Sequence, residues 1–261
     1  MPEAVLFEAR DRVGVITLNR PQARNAVNGA VATGLERALD RLEDDPQLWV
    51  GLLAANCAGQ SRPVFCAGAD LKVIESGDRA DLYTARGGFA GFVYRDRSKP
   101  LIVAVDGLAT AGGLEIVLAA DLVVASTRAS FGLAEVTRNL IAAAGGLFRL
   151  PRAVGRAVAM DAILTGVPIA ADRAFQLGLV SRLVEPGQSL PAALELAAQV
   201  AAAAPLAVRA SRQVVLASAD SDEAALRTMS DELLNRVMRG ADTAEGLAAF
   251  REKRPPRWRG W

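Results

Sequence analysis

Histidine is missing altogether from the 261 residues. Its absence excludes Ser-His-Asp and Cys-His catalysis, HExxH zinc sites and imidazole proton shuttles, and leaves acid–base work to carboxylates, Lys, Tyr or Cys. Cysteine is nearly missing too. Cys57 and Cys66 are too few for an all-cysteine zinc site or a secreted disulfide framework, so reduced thiols in a cytoplasmic protein are expected. No charge of one sign dominates: 30 basic side chains face 29 acidic ones, which leaves no electrostatic footprint for nucleic acid or an anionic membrane. Long apolar runs are also lacking. Leu196 to Val208 falls short of the roughly 20 residues a membrane span needs and is interrupted by Gln199 and Pro205. The start, Met1-Pro2-Glu3-Ala4, has neither the basic nor the apolar region of a secretion signal. Neither G-x-G-x-x-G nor G-K-[ST] occurs, and Gly87-Gly88 and Gly145-Gly146 lack that spacing. Nucleotide hydrolysis and hydride transfer thereby lose support. Lys is confined to positions 72, 99 and 253; the Arg and Ala richness reads as compositional bias and carries no function.

What remains is a chain with 51% hydrophobic and 23% charged residues, enough for a full core in one large domain or a domain with an appendage. Disordered and fibrous classes are excluded. Residues 4–19 read as a β-hairpin turning at Asp11-Arg12, and Pro21 ends it. From Asn28 the period changes: Val31, Leu35, Leu39 and Leu42 form the stripe of an amphipathic helix that Pro46 closes. Trp49 to Ala54, Leu101 to Val105 and Leu122 to Ala125 are continuous apolar runs of strand length, with Ser130-Phe131 an extension or partner. Strands alternating with helices predict an α/β core over 1–190. The Ala-rich remainder, 191–261, predicts three or four helices, broken at Pro205 and at Ala219-Asp220-Ser221-Asp222. No fixed-period repeat or low-complexity linker is found.

Two glycine turns each join a strand to an expected helix. One is Cys66-Ala67-Gly68-Ala69-Asp70, after Val64-Phe65; the other is Ala111-Gly112-Gly113, after the run at 101–105. Amides at such junctions point outward without partners. If the two strands lie side by side, two of these donors converge as a main-chain oxyanion hole. Each turn equally fits a plain tight turn, with Asp70 the N-cap of a helix starting at Leu71. Glu115 falls in the first turn of the second helix, where the helix dipole favours its ionised form: a base beside the hole, or a carboxylate that only stabilises the helix end. Glu135, after Phe131-Gly132-Leu133-Ala134, fits a second catalytic acid or a surface loop carboxylate.

Taken together the motifs resemble the crotonase (enoyl-CoA hydratase/isomerase) family. The matching segments are Leu18-Asn19-Arg20-Pro21 with Asn25-Ala26; Phe65 to Lys72; Val105-Asp106-Gly107 through Ala111-Gly112-Gly113-Leu114-Glu115; Ala120-Asp121 with Phe131-Gly132 and Glu135; Gly145-Gly146 with Arg149-Leu150-Pro151-Arg152; and Phe250-Arg251-Glu252-Lys253-Arg254. They run in the family's order along essentially the whole chain. The resemblance implies a spiral of ββα units with a C-terminal helical trimerisation region, assembling as trimers or dimers of trimers. It implies that the amides of Ala69 and Gly112 hold the thioester oxygen of an acyl-CoA and that Glu115 and Glu135 are the two catalytic glutamates. Ala23, Arg24 and Ala26, with Ala67 and the stretch Ala69, Asp70, Leu71, Lys72, would line the CoA groove. Phe250 and Lys253 would reach the CoA of a neighbouring subunit, or be no more than a helix end with an apolar anchor and a solvated charge.

The reaction so implied is reversible syn addition of water to a 2-enoyl thioester. The enolate charge falls on the thioester oxygen, where two preorganised amides contribute about 3–4 kcal/mol each. Glu115 would take the proton of water and Glu135 deliver one to the α-carbon. No metal or redox cofactor is expected, coenzyme A being part of the substrate. The chain departs from related hydratases at Ala111, where a third glycine is common, at Leu133-Ala134, where Gln-Pro is common, and in the loop 137–144, which lacks the proline and glycine often seen there. These departures leave the acyl preference open. A double-bond isomerase, a family hydrolase or specialised dehydratase, and a silent acyl-CoA-binding module are the alternatives.

Overall fold

The computed structural model describes residues 3–260. The chain opens with the antiparallel hairpin β1 (Val5–Arg10) and β2 (Val13–Leu18), with Asp11 of its turn at φ +50°. Helix α1 (Gly29–Asp44) follows, capped by the Asn28 side chain accepting from the Val31 amide. Strands β3 (Val50–Ala55) and β4 (Val64–Cys66), helix α2 (Leu71–Glu75) and the small hairpin β5 (Tyr83–Thr84) and β6 (Gly88–Phe89) come next. The middle of the chain holds β7 (Leu101–Val105), β8 (Leu108–Thr110), α3 (Gly112–Leu118), β9 (Leu122–Ser126) and β10 (Ser130–Gly132). It continues with α4 (Gly146–Val154), α5 (Arg156–Thr165), β11 (Ile169–Ala170), α6 (Ala171–Gln176) and β12 (Arg182–Val184). Four helices finish it: α7 (Ser189–Ala201), α8 (Pro205–Ala217), α9 (Glu223–Met238) and α10 (Ala241–Glu252).

Two sheets organise these elements. The larger runs β1-β2-β3-β7-β9-β12, parallel from β2 onward. Its strands alternate strictly between two apolar layers, as the two-residue period of a pleated chain requires. Ile16, Leu18, Leu53, Val103, Val105 and Val123 share one core with Val31, Leu35, Leu39 and Leu42 of α1. On the other face Val13, Val15, Leu52, Ile102 and Val124 meet Ala193, Leu196 and Ala197 of α7. A sheet covered on both faces explains why these strands read as unbroken apolar runs. The border expected at 190/191 falls inside α7, and α7 packs on the sheet, so the helices beyond Ala201 form the appendage. Pro205 marks its break by occupying the first turn of α8, where a missing N–H costs nothing.

The smaller sheet, β11-β10-β8-β4, carries a correction. The second glycine turn follows β8, not the run at 101–105, and it is β8 that lies parallel to β4; β7 belongs to the other sheet. With β10 parallel to β8 on its far side, Ser130 opposite Leu108 and Gly132 opposite Thr110, three parallel strands end at one edge. A three-residue strand is too short for any hydrophobic period, so β8, β11 and β12 escaped the sequence reading, as did the short helices α4 to α6.

Lys99 holds the large layers together. Its buried ammonium donates to the carbonyls of Leu42 (2.5 Å), Asp45 (2.7 Å) and Glu43 (3.1 Å) at the α1 C-terminus, satisfying acceptors that helix geometry leaves open. Lys99→Met strands those carbonyls, and urea unfolding is expected to show a loss of about 2–3 kcal/mol. A change under about 0.5 kcal/mol would mean that water replaces the ammonium without cost.

Candidate active site

The carboxyl ends of parallel strands are where an α/β sheet leaves a crevice. Here β4 leads into the turn at 67–70, β8 into Ala111 and α3, and β10 into the 3-10 turn Glu135–Arg138. The first two turns touch. A methyl group added to Gly68, itself at φ +83°, would stand 2.9 Å from the Gly112 nitrogen and 3.2 Å from the Thr110 carbonyl oxygen. One added to Gly113 would stand 2.1 Å from the Cys66 carbonyl oxygen. Glycine is what lets the two backbones meet.

Ala69 forms a parallel bridge with Val27, whose amide donates to the Gly68 carbonyl (2.8 Å) and whose carbonyl accepts from the Asp70 amide (2.8 Å). In that pattern the neighbours of Ala69 make the bonds and its own N–H points to the opposite side. Gly112 opens α3, where the first amides have no acceptor within the helix. Neither amide has an acceptor elsewhere among the described residues. They issue from turns in van der Waals contact.

Glu115 lies one turn into α3 and is only 3% exposed. One carboxylate oxygen accepts from the Gly146 amide at 2.9 Å, so the side chain caps the start of α4. Burial pushes its carboxyl up to about 7; the Gly146 amide opposes that rise, and the charge of Glu135 adds to it. The ionised state expected from the helix terminus is thus outweighed by desolvation. Glu135 is half-buried rather than a solvated loop carboxylate. Burial raises its carboxyl too, against its own amide and Arg138, and one of its oxygens is enclosed without a partner. Two carboxyls, one of them raised in part by the charge of the other, and two amides open to an acceptor thus follow the ends of adjacent strands.

The groove residues also come together. Arg24 and Asn25 are at φ +51° and +53°; the Arg24 carbonyl accepts from the Ala67 amide (3.1 Å), and the Arg20 guanidinium links the Ala26 carbonyl (2.5 Å) to the Asp70 carboxylate (3.1 Å). Asp70 also caps α2 through the Lys72 amide (3.3 Å). Ala23, Arg24 and Ala26 therefore lie alongside Ala67, Ala69 and Asp70, with Leu71 and Lys72 exposed at the end of the stretch. Phe250 and Lys253 are not part of this surface: they end α10, which packs near Leu206, Val237 and Trp258, and Phe250 is 85% exposed. The sequence reading missed Asn25, fully buried and donating to the Asn56 (3.0 Å) and Val64 (3.2 Å) carbonyls, and Arg20 as the staple between the two stretches. Of the Gly145-Gly146 pair, Gly146 is the residue that holds Glu115, a role with no mark in the sequence. Among the described residues no cluster of three metal-ligating side chains exists, and no single helix is long and apolar enough to cross a membrane.

Fold and site define an α/β protein with a main-chain amide pair and a carboxyl pair at the ends of three parallel strands. The sequence profile described as enoyl-CoA hydratase/isomerase matches residues 8–260. The chain is 36% identical over 265 aligned residues to a carnitinyl-CoA dehydratase of Proteus mirabilis (strain HI4320), each chain covered in full. Its structure matches the crystal structure of an enoyl-CoA hydratase from Mycobacterium tuberculosis H37Rv with a TM-score of 0.93 and 44% identity over the whole of both chains. It matches a carnitinyl-CoA hydratase from Mycobacterium avium with a TM-score of 0.77 and 42% identity, again over both whole chains. The chain belongs to the enoyl-CoA hydratase/isomerase, or crotonase, family and is an enzyme acting on acyl-CoA thioesters.

The buried Glu115 has a stability consequence. Because its folded pKa lies above the unfolded value, folding binds its proton, and that contribution is lost as pH rises from about 4.5 toward about 7. Glu115→Gln is therefore expected to match the parent near pH 4.5 and to exceed it by up to about 3 kcal/mol at pH 8 in urea unfolding. Equal stability at both pH values would show that the carboxyl titrates normally.

Proposed function

We propose that the protein is an enoyl-CoA hydratase, reversibly adding water across a trans-2-enoyl-CoA to give the 3-hydroxyacyl-CoA. The reading rests on one observation: unpartnered amides at 69 and 112 on touching turns, followed by a buried carboxyl at 115 and a half-buried one at 135, whose charge raises the first. The amides receive the thioester oxygen as it gains enolate charge, in a site where they need not reorganise. Ionised Glu115, one of its oxygens held by the Gly146 amide, takes a proton from water as the water oxygen bonds to the β-carbon. Protonated Glu135 then gives its proton to the α-carbon on the same face. The pair thus needs one proton between its two members at the start, and burial, which raises both carboxyls, favours keeping that proton in the site. The addition changes no redox state overall and its charge is met by amides, so the proposal includes no metal or redox cofactor.

Coenzyme A lies along 23–26 and 67–72, where the exposed Arg24 and Lys72 suit its phosphates. Self-association as a trimer, or a dimer of trimers, would bring the exposed Phe250 and Lys253 to the CoA of a neighbouring copy. A double-bond isomerase of this family would need only the acid at 135; the presence of Glu115 with its own amide anchor favours hydration.

Crotonyl-CoA should lose its conjugated-thioester absorbance when incubated with the protein. No loss with short, medium and long enoyl chains, and no gain with carnitinyl-CoA as a dehydration substrate, would sink the reading and favour a silent binding module. Glu115→Gln and Glu135→Gln should each cut kcat by about a hundredfold or more while leaving CoA affinity nearly intact. Near-normal turnover in either would remove that residue from the mechanism. For the parent, kcat/KM should fall as pH drops below about 7, where Glu115 becomes protonated.

A further inference from the structure

Ala111 lies where β8, β10 and α3 meet the turn at Gly68. Its backbone stands at φ +51°, ψ −129°, a conformation that a methyl-bearing residue adopts only under strain and glycine adopts freely. It turns the chain out of β8 so that the next amide, that of Gly112, leaves the sheet. Its own amide donates to the Gly132 carbonyl (2.9 Å) on the strand that leads to Glu135. Its carbonyl accepts from Leu114 (2.9 Å) and from the amide of Glu115 itself (3.1 Å). Its methyl faces Gly68: a methyl placed on Gly68 would lie 2.9 Å from it. The Ala111 side chain therefore occupies the space beside the residue that precedes Ala69.

We propose that Ala111 is a positioning residue, its methyl pressed against Gly68 and its backbone locked so that the Gly112 amide stays aimed at the spot the Ala69 amide also faces. Glycine at 111 would keep every hydrogen bond and relieve the strain, and it would release both the methyl contact and the dihedral restriction. The cost of an alanine here is borne by the local backbone, and the gain is a fixed separation between two amides whose contribution depends on aim. This rests on the hydratase reading of the same site, and the test separates the two.

With the full-length protein and crotonyl-CoA, Ala111→Gly should lower kcat by about tenfold or more while KM stays within about twofold and the thermal midpoint is unchanged or raised by up to about 4 °C. Ala111→Ser, which restores a β-carbon, should recover at least half of the lost kcat. Unchanged kcat in Ala111→Gly, or a kcat loss that follows a lowered thermal midpoint and is not rescued by Ser, would overturn the proposal. Hydrogen exchange gives a reading that needs no turnover: peptides spanning 108–116 should exchange faster in Ala111→Gly than in the parent, with 101–105 unaltered. Should the parent prove inactive on every thioester, the hydratase reading fails alone, and the exchange result still decides: no difference in 108–116 refutes the role of Ala111.

Discussion

Two turns of main chain lie against each other with no room for a β-carbon at Gly68 or Gly113, and the candidate site depends on that contact. Gly68 and Gly113 are its hinge points, and Gly107 serves the same approach lower down, where an added methyl would fall 2.1 Å from the Pro63 carbonyl oxygen. Any β-carbon at these places would drive β4 and β8 apart. The turns at their carboxyl ends would then no longer touch. A short sheet of two- and three-residue strands could not hold such an arrangement by its own hydrogen bonds. It is held because α1, α3 and the large sheet share one core with Phe65, Ala109 and Phe131 of these strands, so the energy that fixes the site comes from apolar burial some distance from it.

That division of labour explains the electrostatics. Free amides at a buried edge and a carboxyl at 3% exposure each cost free energy to keep. Glu115, although in the first turn of α3, is anchored on the first amide of α4. The carboxyl is fixed in direction and yet left with a pKa near neutrality, which a fully capped or solvated carboxylate would not have. Glu135 contributes by its charge, which adds to the rise in the Glu115 carboxyl and so disfavours two charges at once.

How much of this could be read from the sequence depended on the length of the element concerned. Helix α1 and the strands of five or six residues carry enough apolar positions for a period to show, and both glycine turns were visible as composition. β8 was not: Leu108-Ala109-Thr110 offers no period, and the turn it feeds was therefore credited to the longer strand before it. The pairing of β4 with β8, which makes the turns meet, is a relation between segments some 40 residues apart and leaves no local mark. Among candidate site residues, Gly112, Ala69, Glu115 and Glu135 stand out through the glycine turns and the order of the motifs. Asn25, Arg20 and Gly146 were quoted within motifs while their roles stayed hidden, because a buried amide and an ion pair are identified by their partners. The ionisation of Glu115 was misjudged for a related reason: the helix terminus is legible in sequence, whereas the depth of burial that outweighs it is not.

The same architecture separates what must stay fixed from what is free to vary. The amides and the Glu115 anchor are tied into backbone contacts among 66–70, 110–115, 132 and 146, where a single β-carbon or a shifted strand is felt at once. The loop that follows Glu135 is different. Val136, Leu140 and Ile141 present apolar side chains outward, and its internal ties are short-range bonds such as the Leu140 amide to the Glu135 carbonyl. Substitutions there change a wall without moving the carboxyl or the amides. The departures of this chain at 137–144 fall in this outward-facing loop, whereas Leu133 lies in the core at 1% exposure and Ala111 is seated in the packed turns, so a substitution at either of those two is felt by the backbone that carries Glu115 and Glu135.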